Sequence, residues 1–182
     1  MQDVPNEWKI NTSNQGKYQE FTHLFAKYGV QLVATHHDLK EILSDPVSVV
    51  TYKASQMEER VLVEDTVLDI EGQEVGVQVR WLLHHLPEMA GKKARWSVFL
   101  AYRAEKTVYI YRGVVQGTIV TPKGNKGFGF DPVFLPDDSP KTLAEAKPDE
   151  VNARAMAVEA LMAGDLFDSR PVIETWDGPW QK

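Results

Sequence analysis

The chain contains no cysteine. Disulfides, thiolate metal sites and a cysteine nucleophile are thereby excluded, and a reducing compartment is in keeping with that absence. No stretch approaches the roughly 18 consecutive apolar residues of a membrane span, so no membrane partner is expected. The opening MQDVPNEWK has neither the cationic end nor the apolar middle of a signal peptide, and a cytoplasmic location is the expectation. Positive charge is scarce as well: 20 Lys and Arg against 26 Asp and Glu leave a formal charge of -6. Affinity for a nucleic-acid backbone rests on clustered Lys and Arg, so nucleic acid is not an expected partner. An acidic chain that handles phosphates needs local cations or a bound metal. There is no internal repeat, no low-complexity segment and no G-x-S-x-G elbow. The histidine pairs His36–His37 and His84–His85 are adjacent rather than spaced i, i+4, so they do not form the zinc-binding face of a helix.

What is present is ordinary globular composition. The 182 residues are 43% hydrophobic and 25% charged, enough for one domain, at most with two lobes, and a sizeable core. Phe21, Leu24, Phe25 and Tyr28 fall at helical spacing after NTSNQGK, with Gly29 as the stop. QLVAT (31–35) reads as a strand, Ser44 to Glu59 as a helix with Asp45 and Pro46 in its first turn, and VLVEDTVLDI (61–70) as a buried strand running into a turn. Val79 to Leu86 is helix-like. RWSVFLAYR, TVYIYRG and VVQGTIVTP alternate as three neighbouring antiparallel strands, and Asp149 to Met162 reads as the last helix. Residues 170–182, with Trp176 and Trp180, read as an irregular tail packed back on the body or on a partner. The pattern predicts an α/β or α+β domain with a long mixed sheet.

Four segments have the make-up of a reaction site. In NTSNQGK, small polar residues followed by Gly16 and Lys17 open a helix, where free N–H groups, hydroxyls and an ammonium suit a phosphate; ordinary capping by Thr12, Ser13 or Asn14 is the alternative. In VLVEDT, Glu64 and Asp65 stand at the end of an apolar run. Carboxylates so placed suit Mg²⁺, which takes oxygen ligands and lets substrate phosphates complete its shell, whereas a solvated strand end explains them equally well. Strand alternation points these two acids to opposite faces. Glu41 and Lys53, each alone, read as surface residues. In GNKGFGFDPVF, Gly127 and Gly129 permit sharp backbone angles that present Phe128 and Phe130 beside Asp131. A flat nitrogen-bearing ring would fit there, and a bulged hairpin with both rings in the core is the competing reading.

Taken in order, these segments resemble the inosine triphosphate pyrophosphatase family over roughly residues 9–162. TSNQGK is similar to the family's T-G-N-x-x-K, VLVEDTVL to its acidic strand, and GFGFDPVF followed by KTLAEA to its most specific signature. The resemblance implies an elongated mixed α/β fold of two lobes around a central cleft, a homodimer, and Mg²⁺-dependent attack of water on a nucleoside triphosphate to give monophosphate and pyrophosphate. It further implies that Thr12, Asn14, Lys17 and Lys53 hold phosphates, that Glu41 and Asp65 serve metal and water with Glu64 as an additional ligand, and that Phe130 and Asp131 hold the base.

The chain departs from the family at the last helix. Where members carry Lys-Asn and, two residues later, Ser-His-Arg, this chain has Val151-Asn152 and Ala155-Met156-Ala157. Arg154, three residues from both Val151 and Ala157, would share their helix face and replace one lost cation. The family's P-G turn after the acidic strand is not evident in IEGQEVGVQVRW. An active pyrophosphatase with altered base selection is the leading expectation. A non-catalytic nucleotide-binding relative that acts through a partner is the alternative.

Overall fold

The structure, a computed structural model, describes residues 6–72 and 85–181. Seven strands and three α-helices are described, as the mixed α/β expectation requires. The sheet order is β2-β1-β3-β4-β5-β6, with β7 also pairing β5. Here β1 is Glu7–Asn11, β2 Gln31–Thr35, β3 Val61–Ile70, β4 Lys93–Ala104, β5 Thr107–Ile119, β6 Phe134–Pro136 and β7 Asp168–Pro171. The chain divides into two compact units, one of Met1–Asp65, Phe99–Arg112 and Ala157–Lys182, the other of Thr66–Val98 and Gly113–Met156.

In the first unit β1 pairs in parallel with β2 along its whole length and with β3 at Lys9↔Val61 and Ile10↔Leu62. Trp8 and Ile10 alternate inward along β1, as a pleated strand with one covered face demands. Between β1 and β2 runs helix α1, Gln15–Ala26. Phe21, Leu24 and Phe25 form its buried stripe, the Tyr18 hydroxyl donates to the Leu32 carbonyl of β2 at 3.0 Å, and Gly29, at φ 71°, takes the left-handed geometry that ends the segment. Helix α2 covers Pro46–Ser55, shorter than the expected 44–59. The Asp45 side chain accepts the Ser48 N–H at 3.0 Å and Pro46 fixes the first turn, so the helix begins after Asp45.

Two further expectations are corrected. TVYIYRG and VVQGTIVTP are not separate strands: β5 runs unbroken for 13 residues through Gly113. The expected helix from Asp149 to Met162 is a 3-10 turn, Asp149–Val151, and then helix α3, Ala153–Ala163. Asn152 separates them in an extended conformation (φ -113°, ψ 108°), and its side-chain oxygen accepts the N–H groups of Arg154 and Ala155 at 2.9 and 3.2 Å. It therefore caps α3, and Val151 shares no helix face with Arg154.

The second unit packs around Trp96, whose fully buried ring meets Phe130 at 5.9 Å and Phe134 at 6.2 Å, both edge-on. The helix expected over Val79–Leu86 and the turn sought in IEGQEVGVQVRW lie largely outside the described residues; residues 85–89 form a 3-10 turn. Instead of a wholly irregular tail, β7 pairs Asp168–Pro171 with Ile110–Thr107 of β5. Among the described residues no helix is long and apolar enough to cross a membrane.

Candidate active site

Backbone geometry builds the first part of the site where β1 hands over to α1. The Asn14 side chain accepts the Lys17 N–H at 3.0 Å, and the Thr12 hydroxyl oxygen accepts the Asn14 N–H at 3.2 Å. Asn14 is thus the N-cap, as the bland reading of this segment proposes, and the same turn leaves the helix start aimed at the surface. Thr12 and its neighbours are pinned from β2: the Thr12 N–H donates to the Thr35 carbonyl at 3.1 Å, and Asn11 exchanges hydrogen bonds with the backbone of His37. Cap and anion site are compatible, because capping satisfies one N–H and leaves the positive helix end in place.

The second part is a cluster of two lysines and three carboxylates, all in the first unit. Lys17 Nζ pairs with Glu64 Oε1 at 2.6 Å. Lys53 Nζ, projecting from the last turn of α2, pairs with Glu41 Oε1 at 3.1 Å and donates to the Glu64 carbonyl oxygen at 2.7 Å. Glu64 and Asp65 are not at a strand end: β3 continues to Ile70, and both side chains are buried. They follow Leu62, where the parallel pairing with β1 stops. The acids therefore lie beyond the carboxyl ends of the parallel strands, a common place for ligands in open α/β sheets. β3 is covered on both faces at this point, so opposite-pointing side chains are both removed from water, and both acids enter the field of Lys53.

The electrostatics separate Asp65 from the rest. Burial pushes its carboxyl up and Glu64 and Glu41 push in the same direction, against the pull of Lys53 and Lys17, so that it titrates at about 7. Its Oδ2 is buried and has no hydrogen-bond partner among the described residues. Burial alone would lower the pKa of Lys53, but Asp65, Glu41 and Glu64 outweigh it and hold the ammonium charged. A buried carboxylate oxygen without a partner is costly unless a cation, water or proton occupies it. Among the described residues there is no ready-made group of three or more His, Cys, Asp or Glu that could by itself hold a metal. Mg²⁺ asks for less, since one or two carboxylates suffice when substrate phosphates supply further oxygens.

In the second unit the GNKGFGFDPVF loop departs from the sequence expectation. Phe130, expected to hold a base, is buried in the Trp96–Phe134 cluster. Asp131, 2% exposed, accepts the Phe128 N–H at 3.0 Å and pairs with Lys147 at 2.7 Å through the same Oδ2. Gly127 stands at φ 75°, and a Cβ there would run into that carboxylate. Phe128 is the partly exposed ring, with Arg154 4.9 Å and Lys147 5.0 Å from its centroid. Arg154 also lies 5.3 Å from the Trp96 ring centroid and donates to the Thr66 hydroxyl at 3.2 Å. Sequence reasoning missed Lys147 and the prominence of Phe128. Lys147 stands outside any periodic element, so nothing in its neighbourhood signals that it closes on Asp131.

Fold and site together define a mixed α/β protein with a helix-start anion loop and a lysine–carboxylate cluster beyond the ends of its parallel strands. The chain belongs to the Ham1 family, whose pattern its residues 8–164 match. It is 32% identical over 174 residues to an inosine triphosphate pyrophosphatase of Yarrowia lipolytica, covering 86% of this chain and 92% of that one. A dITP/XTP pyrophosphatase of Pyrococcus horikoshii is 31% identical over 169 residues, with 84% and 91% covered. A solved nucleoside-triphosphatase / dITP/XTP pyrophosphatase from Mycobacterium abscessus superposes with a TM-score of 0.55 at 23% identity, over 86% of this chain and 96% of that one. That likeness bears on the fold.

Proposed function

We propose that this chain is a nucleoside triphosphate pyrophosphatase acting on purine nucleotides, with Mg²⁺ as cofactor. The names of its relatives support the reaction class. The observation that carries the site is the buried, partnerless Oδ2 of Asp65 among Lys17, Lys53, Glu41 and Glu64.

Asp65, Glu41 and Glu64 are the residues that would hold the metal. Mg²⁺ supplies charge neutralisation of the triphosphate and polarisation of its phosphoryl oxygens. Lys17 and Lys53, with Thr12, Asn14 and the free N–H groups of the α1 start, hold the phosphates. In the free protein both ammonium groups are parked on carboxylates. Substrate binding exchanges those partners for phosphate oxygens, so the lysines need little reorganisation. Asp65 orients the attacking water and accepts its proton; in the metal-free protein burial, with Glu64 and Glu41 beside it, raises this carboxyl above the usual carboxylate range. The water oxygen bonds to the α-phosphorus, the bond from that phosphorus to the α,β-bridging oxygen breaks, and pyrophosphate leaves with the electron pair. The absence of a covalent nucleophile fits direct attack by water.

Base selection belongs to the second unit. Arg154, Lys147 and Phe128 form its polar and aromatic face, while Phe130 and Asp131 fix the loop that carries Phe128. Val151, Met156 and Ala157 offer no side-chain donors where the family carries Lys, His and Arg, and Arg154 and Lys147 are engaged within the protein. Discrimination between purines is accordingly weakened. The test is pyrophosphate release across a panel of inosine, xanthosine, guanosine and adenosine triphosphates with Mg²⁺. Monophosphate and pyrophosphate in equal amounts are expected; release of orthophosphate would overturn the reading in favour of hydrolysis at another phosphoanhydride bond, and no turnover of any nucleotide would overturn it in favour of the non-catalytic relative.

A further inference from the structure

Residues beyond the family-matched segment 8–164 return to the site. After β7, the Ile173 N–H donates to Ser55 Oγ at 2.9 Å and its carbonyl accepts from Gln56 Nε2 at 3.3 Å, laying the chain along the end of α2. Residues 179–181 then form a short antiparallel ladder with residues 41–43. Gln181 N–H donates to the Glu41 carbonyl at 2.9 Å, Leu43 N–H donates to the Pro179 carbonyl at 2.9 Å, and Ile42 bridges Trp180. Gln181 Nε2 adds a donor to the Ile42 carbonyl at 3.0 Å. The clasp is stiffened from within: Trp176 Nε1 donates to the Pro179 carbonyl at 2.9 Å, and a Cβ on Gly178 would collide with the Trp176 ring at 2.7 Å.

What the clasp holds is the loop that carries Glu41. That residue lies in no strand or helix of its own, so its backbone is fixed chiefly by what pairs with it. The Trp180 ring meets Tyr52, the residue before Lys53, edge-on at 5.5 Å, and Lys40, the residue before Glu41, lies 5.1 Å from its centroid. One indole thus packs against the chain neighbour of each member of the Glu41–Lys53 pair.

We propose that Pro179–Gln181 is a positioning strap for Glu41 and Lys53, with Trp180 and Gln181 its working residues. It fixes the Glu41 carboxylate against Lys53 by pairing with the Glu41 backbone. Its catalytic consequence rests on the pyrophosphatase reading; its structural core does not, and the test is divided accordingly.

The first arm needs no nucleotide. Coupling between Glu41 and Lys53 is measured by a double-mutant cycle in urea unfolding (Glu41→Gln, Lys53→Met and the pair), in the full chain and in Trp180→Ala/Gln181→Ala. Coupling is expected in the full chain and should be largely lost in the strap variant. Equal coupling in both, or none in the full chain, overturns the proposal. A chain cut after Asp177 serves as a second strap variant, and Trp180→Ala alone as a third should the others fail to fold. The second arm measures turnover and the Mg²⁺ concentration at half-maximal rate. The strap variant is expected to lose kcat by about tenfold or more, the scale of a small misplacement of a catalytic group, and to need several-fold more Mg²⁺. Placed on Glu41→Gln, the same strap changes should cost little further, because their effect runs through Glu41. Additive losses would reduce the strap to general stability and overturn the proposal. A full chain without turnover but with strap-dependent coupling would instead refute the pyrophosphatase reading alone.

Discussion

In the proposed reaction Asp65 concentrates the chemistry in one side chain. Replacing it by Asn keeps the shape and removes both the charge and the proton acceptor, so kcat is expected to fall by about a hundredfold or more while the fold survives; steady-state kinetics with a melting curve checks both. The same substitution has a second consequence in the metal-free protein. The folded carboxyl is pushed up to about 7 from the ordinary aspartate value of 3.8, so between those pH values the folded state keeps a proton that the unfolded chain has released. Stability falls as pH rises through that window, the cost is complete above it, and below 3.8 it vanishes. With a chelator present, Asp65→Asn should melt above the unsubstituted protein at pH 8, with the gap closing toward pH 4. A gap that widens on acidification would mean that Lys53 dominates the carboxyl after all. The identity of these residues was legible in the sequence because acids after an apolar run and a lysine after a polar turn are recognisable by type. Their ion pairing was not, since Lys17 and Glu64 stand 47 residues apart and no local pattern joins them. The burial of Phe130 was not legible for a related reason: alternating Gly and Phe reveals a sharp turn but not which ring ends up in the core.

At the level of elements, the start of α1 and the glycine loop before β6 make opposite demands. The α1 start uses Asn14 as its cap and leaves Lys17 to the site. Lys17→Ala and, from α2, Lys53→Ala should each weaken triphosphate binding by roughly 1.5 to 3 kcal/mol, the scale of a charge-assisted hydrogen bond. Titration calorimetry with a non-hydrolysable triphosphate measures this, and a loss confined to melting temperature would assign the segment to capping alone. The glycine loop, in contrast, is locked by its own carboxylate. Gly127→Ala puts a side chain at positive φ and against Asp131, so a loss of about 1 to 3 kcal/mol in unfolding free energy is expected. Lys147→Met should give part of that loss through the broken pair with Asp131. Strand and helix spans were readable wherever a periodic pattern ended at a capping residue, as in α1 and β2. They were misread where the break depended on tertiary context. Gly113 looks like punctuation yet is carried through by β5, and Asn152 looks like a helix interior residue yet its side chain accepts the N–H groups of Arg154 and Ala155.

For the molecule as a whole, the acidic balance of -6 sets the problem of holding a polyanion, and in the reading proposed above the residues around α3 bear on base selection. An apolar pocket distinguishes ligands by only about 1 to 3 kcal/mol, whereas stranded buried polar groups discriminate far more. With Met156 and Ala157 in place of donors, preference for inosine or xanthosine triphosphate over adenosine and guanosine triphosphates should stay under about a hundredfold in kcat/KM. Arg154→Ala should lower turnover of all four, and a thousandfold preference would show that other groups read the base. The ladder between residues 41–43 and 179–181 also has a temporal side. A ribosome makes Glu41, Lys53 and Asp65 within the first 65 residues of the chain, but the segment that pairs with Glu41 emerges more than a hundred residues later. On a growing chain Glu41 and Lys53 are thus present long before the strap can hold them, and a nascent protein stalled before residue 179 is expected to carry both groups without the backbone pairing that fixes Glu41.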